Sequence, residues 1–195
     1  EGGDYYSTTR YKVTDADAPG VVSRVEIPSD VYYWFVVHPK ISDETVKASA
    51  ESSSEQATYG HFWREYLFSN PDPDHDYSRG GTFPLLGDVL RAPTALWDGK
   101  AVDLAGGRPF DADDVALDVV GNWVSTMLPQ RASGNRPVQP NQIAYEHNGN
   151  CGEIQDLLGA ASRAALIPNV LTSNHCEDHV WNEFFTAAPT SGWFP

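Results

Sequence analysis

Hydrophobic and polar positions along the chain sort into a few periodic stretches separated by long polar ones. Val21 to Ile27 alternates (Val-Val-Ser-Arg-Val-Glu-Ile) and predicts a strand closed by Pro28. Val31 to Val37 is continuously apolar and β-branched or aromatic. That composition predicts a strand buried on both faces, ended by His38-Pro39. Tyr59, Phe62, Trp63, Tyr66 and Leu67 fall at helical spacing. The plain reading of that aromatic face is a core helix; the sharper one is a wall of a substrate groove. Val115, Leu117, Val119, Val120, Trp123, Val124, Met127 and Leu128 predict a second helix, with Asp111 as N-cap, Asp113 and Asp114 in its first turn and Pro129 as its stop. A polar linker, 130–139, follows. Ile154, Leu157, Leu158, Ala161 and Ala165 then form the stripe of a third helix that ends by Pro168. From His179 the pattern alternates again, with His179, Trp181, Glu183 and Phe185 on one face and Val180, Asn182 and Phe184 on the other. Residues 186–191 read as a turn and Gly192-Trp193-Phe194-Pro195 as the start of a further strand.

The intervening segments carry weaker signals. Residues 1–20 read as a surface strand or loop, 42–56 as a loop or weak helix, and 81–107 as loop with short apolar pieces. Asp98-Gly99 is a hairpin signal between Ala95-Leu-Trp97 and Ala101-Val-Asp-Leu104. No internal repeat is present. The expected organisation is an extension of strands and loops over 1–110 packed on a core over 111–195, the two making one compact domain of 195 residues.

Charge narrows the partners. With 27 acidic and 13 basic residues the net charge is −14, which disfavours nucleic acid and anionic membrane surfaces. No apolar run is long enough to cross a bilayer, and Glu1-Gly-Gly-Asp does not read as a signal peptide. Two cysteines do not make a disulfide framework. An extracellular or cell-surface setting and a protein or peptide substrate are the expectations; oligomeric state is left open.

The chemistry gathers between Asn148 and Phe185. Asn150 and Glu153 are spaced as a capping box, so Cys151 stands in the first turn of a helix, where the dipole and unpaired amides favour a thiolate. Gly149 and Gly152 clear space beside it. The Cys151 amide is a natural oxyanion donor. A strand packed on that helix could bring His179 to the thiol as general base and later general acid. Taken singly, Cys151 reads as a buried structural thiol and His179 as a satisfied strand histidine. Together, in these contexts, they read as a catalytic pair.

Gly-Asn-Cys151-Gly-Glu before an amphipathic helix and Asp178-His-Val-Trp181 at the head of a strand resemble the core of the transglutaminase-like superfamily, in the version found in peptide N-glycanases. The resemblance covers Asn150 to Pro195. It implies an α+β fold, papain-like, with the Cys helix packed on an antiparallel sheet that holds His179. It also implies acyl transfer at an amide through a Cys151 thioester, hydrolytic rather than crosslinking. The family's third residue, an Asp soon after a Gly-Trp-like turn, has no match before Pro195 and is expected just beyond it; Glu177, Asp178 and Glu183 are the nearby acids. Some members complete the oxyanion hole with a Trp or Gln upstream of the cysteine. Trp123, Tyr145 and Gly152 are the candidates for that support here, and Gln142 also lies upstream. The alternative is a catalytically inactive domain that binds a peptide or protein in the same cleft.

Two metal readings compete. Asp72, Asp74 and Asp76 alternate as in a calcium loop, yet the glycine and final glutamate of such a loop are missing, and a solvated turn explains them as well. Cys151, His175, Cys176 and His179 could be zinc ligands, without any Cys-x-x-Cys pair. That reading, like a Cys151–Cys176 disulfide, is disfavoured if the strand runs back far enough to put Cys176 and His179 on opposite faces. No other cofactor is expected.

Overall fold

The computed structural model describes residues 10–14, 22–42, 61–91, 116–129, 136–186 and 192–195. The elements are β1 (Arg10–Thr14), β2 (Val22–Glu26), α1 (Ser29–Tyr32), a π-helical turn (Tyr33–Val37), α2 (Trp63–Ser69), α3 (Leu86–Arg91), α4 (Ala116–Met127), α5 (Pro140–Glu146), α6 (Cys151–Ala164), β3 (Asn169–Asn174), β4 (His179–Thr186) and β5 (Gly192–Phe194). The fold is α+β, with helices packed on a small antiparallel sheet of order β3-β4-β5. β1 and β2 pair antiparallel, Arg10 opposite Glu26 and Thr14 opposite Val22.

Helix α6 is the pivot. It touches α2, α4 and α5 on one side and β3 and β4 on the other. The main core gathers Trp63, Tyr66 and Leu67 of α2, Leu86 and Leu90 of α3, Val120, Trp123, Val124 and Met127 of α4, Ile143 and Ala144 of α5, and Leu157, Ala160 and Ala161 of α6. The aromatic face of α2 is therefore core, the plainer of its two readings. A smaller cluster joins Ile27 and Val31 to Phe185, with Phe35 and Trp193 against it.

Several expectations are corrected. Val31–Val37 is not a strand: α1 and the π-helical turn occupy it. Only Val31 and Val36 are buried, while Tyr33, Trp34 and Val37 are among the most exposed large apolar side chains. The two buried positions are five apart, one π turn, and the His38 amide closes the turn on the Tyr33 carbonyl at 2.8 Å. An apolar run of this length does not by itself distinguish strand from helix. The stripe of α6 holds at Leu157, Ala161 and Ala165, with Leu158 packed against the same core, and fails only at its first position. Ile154 is exposed, and the inward side carries Glu153, Gln155, Asp156, Leu157, Gly159, Ala160 and Ala161. Helices α3 and α5 and strand β3 lie in segments expected to be loop or connection. The helix expected from Asp111 is described from Ala116; Asp111 and the Asp98-Gly99 hairpin lie outside the described residues.

Candidate active site

The first turn of α6 is built around two close approaches. The Glu153 carboxylate accepts the Asn150 amide at 2.8 Å, which is its half of the expected capping box. Gly149 is required here, because a Cβ on it would come within 2.6 Å of Glu153 Cβ. Glu153 is almost fully buried and also accepts a hydrogen bond from Arg136 Nε. Burial pushes the Glu153 carboxyl upward, but the bonds from Arg136 and the Asn150 amide outweigh it and hold the group below the usual carboxylate range. Arg136, in turn, lies over Gly152: a Cβ there would meet Arg136 Nη2 at 3.3 Å. The sequence marks 130–139 as an Arg- and Pro-rich linker before the Cys helix but does not place Arg136 at the site. Its visible signal is a cation beside Pro137, four residues before α5.

Cys151 opens the helix as a half-buried free thiol. Its neighbours along the helix fix where it lies relative to the sheet. Gln155 Nε2 donates to Thr172 O at 2.8 Å and to Trp181 O at 2.5 Å. One turn further on, a Cβ at Gly159 would meet Leu171 and Asn169. Thr172 pairs with Trp181 and Asn169 with Phe184, so α6 and β4 run in the same direction. One helical turn back from Gln155, about 5.4 Å, and two strand residues back from Trp181, about 6.6 Å, bring Cys151 and His179 to the same end of the helix–strand pair.

Their side chains do not meet. Asn182 Nδ2 donates to Gln155 O at 3.0 Å, so the Asn182 face of β4 is the one against the helix. Alternation places His179 with Trp181 on the other face. The His179 ring is exposed and stacks on Trp181, with centroids 6.2 Å apart. The Cys151 thiol makes no hydrogen bond to another described residue. No described acid takes a third-residue role: Glu183 Oε1 accepts from the Trp181 indole at 3.2 Å and Glu177 Oε2 from Asn174 at 3.4 Å.

The oxyanion candidates separate. Trp123 is buried in the core and its indole N–H is engaged by Pro84 O at 2.9 Å, which removes it as a donor. Tyr145 stands in another cluster, under the Arg79 guanidinium at 4.4 Å and edge-on to His75. Gly152 remains, next to the thiol in the first turn.

The metal readings find no centre. Asp72 accepts the amides of Asp74 and His75 and pairs with the His75 ring at 2.9 Å. Asp76 accepts from the Ser78 amide and hydroxyl, the Gly80 amide and Asn70. The two carboxylates thus organise turns, each with its own donors. Among the described residues no three His, Cys, Asp or Glu side chains come together to hold a metal ion. Cys176 is exposed in the turn at 175–178, before β4 begins; the argument from opposite strand faces therefore does not apply to it.

No protein family, curated protein or solved structure matches the chain. Among the described residues no helix is long and apolar enough to cross a membrane.

Proposed function

We propose that this chain is a thiol-dependent acyl-transfer enzyme of transglutaminase-like type that hydrolyses an amide bond of a protein or peptide. The observation that carries the reading is Cys151 itself: a free, half-buried thiol at the first position of a 14-residue helix, with His179 at the head of the adjoining strand. In the reaction the Cys151 sulfur bonds to the scissile carbonyl carbon, and first-turn amides receive the negative charge on oxygen. His179 takes the thiol proton and returns it to the amine as the C–N bond breaks. Water then cleaves the thioester, giving the acid and restoring the thiol. His179 must swing from its stack on Trp181 to serve. It is the first residue of β4 and borders a turn rather than another strand residue, so its ring has room to do so.

The same stack favours a second reading, an inactive domain whose cleft binds a peptide. Iodoacetamide alkylation of Cys151, followed by mass spectrometry across pH 5–9, separates the two. An active pair gives a rate profile whose inflection moves to higher pH in His179→Ala. A profile like that of a free thiol, near 8.5, and indifferent to His179, removes the catalytic reading and leaves the binding module.

A further inference from the structure

We propose that Arg136 is the specificity-determining residue of the Cys151 site and selects acyl donors that carry a carboxylate beside the scissile amide. The inference rests on the acyl-transfer reading for its meaning, but its test does not.

Three observations carry it. The first is that Arg136 is fixed. Its Nε is held by Glu153, whose carboxylate is 3% exposed and is itself tied to the Asn150 amide. A surface arginine ordinarily wanders among rotamers; this one is anchored to the start of the helix that bears the thiol. The second is where the free edge lies. Nη2 rests over Gly152, the residue after Cys151, and the charge of the guanidinium acts on both Cys151 and Asp178, the residue before His179. The cation therefore stands at the first turn of the helix that bears Cys151, within electrostatic reach of the thiol. The third is that its donors are left over. The side chain is 51% exposed, and Nη1 and Nη2 make no hydrogen bond to another described residue. A guanidinium with one edge engaged and the other open is a fork that matches a second carboxylate in two parallel bonds.

The setting sharpens the point. The chain carries a net charge of −14, a field that repels anions from most of its surface. A tethered cation at the nucleophile runs against that field and makes this position the place where a carboxylate-bearing substrate gains. A neutral donor would gain nothing from it.

Competitive alkylation with iodoacetate and iodoacetamide tests the proposal on the intact protein, because the two reagents differ by a carboxylate and meet the same thiolate. Their rate ratio cancels thiol ionisation and reports only the reception of the anion. Cys176, exposed and flanked by Glu177, is the internal reference. At low salt and pH 8 the iodoacetate preference at Cys151 is expected to exceed that at Cys176 by about threefold to tenfold, the size of one charge interaction near a protein surface. Arg136→Gln should bring it to the Cys176 level, Arg136→Lys should keep part of it, and Arg136→Glu should invert it. Arg136→Gln and Arg136→Glu leave the buried Glu153 carboxylate without its partner, so melting of all three variants is measured alongside, and Arg136→Lys, which keeps the cation, carries the comparison if the other two melt below the assay temperature. Equal ratios at Cys151 in the wild type and Arg136→Gln overturn the proposal. The same ratio measured in His179→Ala should be unchanged even if the catalytic pair fails, so the two failures are distinguishable.

Discussion

Gln155 and Asn182 clasp each other across the helix–sheet interface. The Gln155 amide nitrogen donates to the Trp181 and Thr172 carbonyls at 2.5 and 2.8 Å, and Asn182 Nδ2 returns a bond to the Gln155 carbonyl at 3.0 Å. Asn182 also donates to Asn169 Oδ1 at 3.1 Å. All three side chains are buried. This polar seam, together with the close packing of Gly159 on Leu171, sets how far along β4 the start of α6 comes to rest, and hence that Cys151 and His179 share an end.

Asn182→Ala is expected to cost about 1–3 kcal/mol, the loss for a buried group left unpaired: Asn169 Oδ1 loses its donor, while the Gln155 carbonyl keeps its helical partner. Urea denaturation monitored by tryptophan fluorescence checks it. A loss under half a kcal/mol would mean that water replaces the seam and that the helix is free to slide on the strand.

The site was legible in the sequence where local rules govern it and illegible where tertiary contact does. Asn150 and Glu153 announced the start of α6 because a capping box needs only four consecutive residues, and the alternation from His179 announced β4 for the same reason. The side of β4 that faces α6 could not be read, since two alternating faces with an asparagine on one and a histidine on the other offer no hydrophobic contrast to choose between them. Asn182, not His179, proves to be the inward residue. Arg136 was hidden because its role depends on Glu153, seventeen positions on. Val31–Val37 misled because its two buried residues are five apart, a spacing that neither a strand nor an ordinary helix predicts.

Acid should destabilise the protein partly through Glu153. Its folded-state carboxyl is held below the unfolded value by Arg136 and the Asn150 amide against the opposing effect of burial. The contribution is thus complete above the ordinary carboxylate pKa, about 4.3, and is lost as pH falls through the folded value. Glu153→Gln is expected to lower stability by about 1–2 kcal/mol at pH 7, the worth of charge-assisted hydrogen bonds at a partly solvated pair. The gap to wild type should close towards pH 3. A gap independent of pH would show that the glutamate acts through shape alone.

His147 adds a second, higher window. Its ring lies between the Met127 carbonyl at 3.0 Å and the Tyr77 carbonyl at 2.7 Å, stacked on Phe83 at 3.6 Å. Two carbonyls favour the doubly protonated ring, but burial disfavours the charge and prevails, so the pKa lies below its usual value; Arg79 adds to the effect and Asp76 opposes it. Below about pH 6.5 the unfolded chain takes up a proton that the folded one refuses. Stability should therefore fall as pH drops through that point, until the folded-state pKa is reached. The fall between pH 7.5 and 5.5 should be smaller in His147→Asn, a residue that also tolerates the left-handed backbone at this position (φ 57). An equal fall in both proteins would assign the titration to other histidines.

Two glycines in helices should respond to alanine with opposite signs. Glycine within a helix costs roughly 0.5–1 kcal/mol relative to alanine, so both substitutions start with that gain. At Gly121, inside α4, an added Cβ meets nothing within 4 Å; the gain stands, and melting should rise by about 2–4 °C for a chain of this size. At Gly159, inside α6, the Cβ would come within 2.8 Å of Leu171 Cδ1 and 3.0 Å of both Asn169 Oδ1 and Ile41 Cγ2. Overpacking of that kind costs about 1–3 kcal/mol and outweighs the propensity term. It also lifts α6 from the sheet at the seam that aligns Cys151 with His179, so alkylation of Cys151 should change its dependence on His179 while that of Cys176 does not. If Gly159→Ala instead stabilises the protein as Gly121→Ala does, the helix does not rest against β3 at the distance described, and the alignment of the thiol with the strand loses its physical basis.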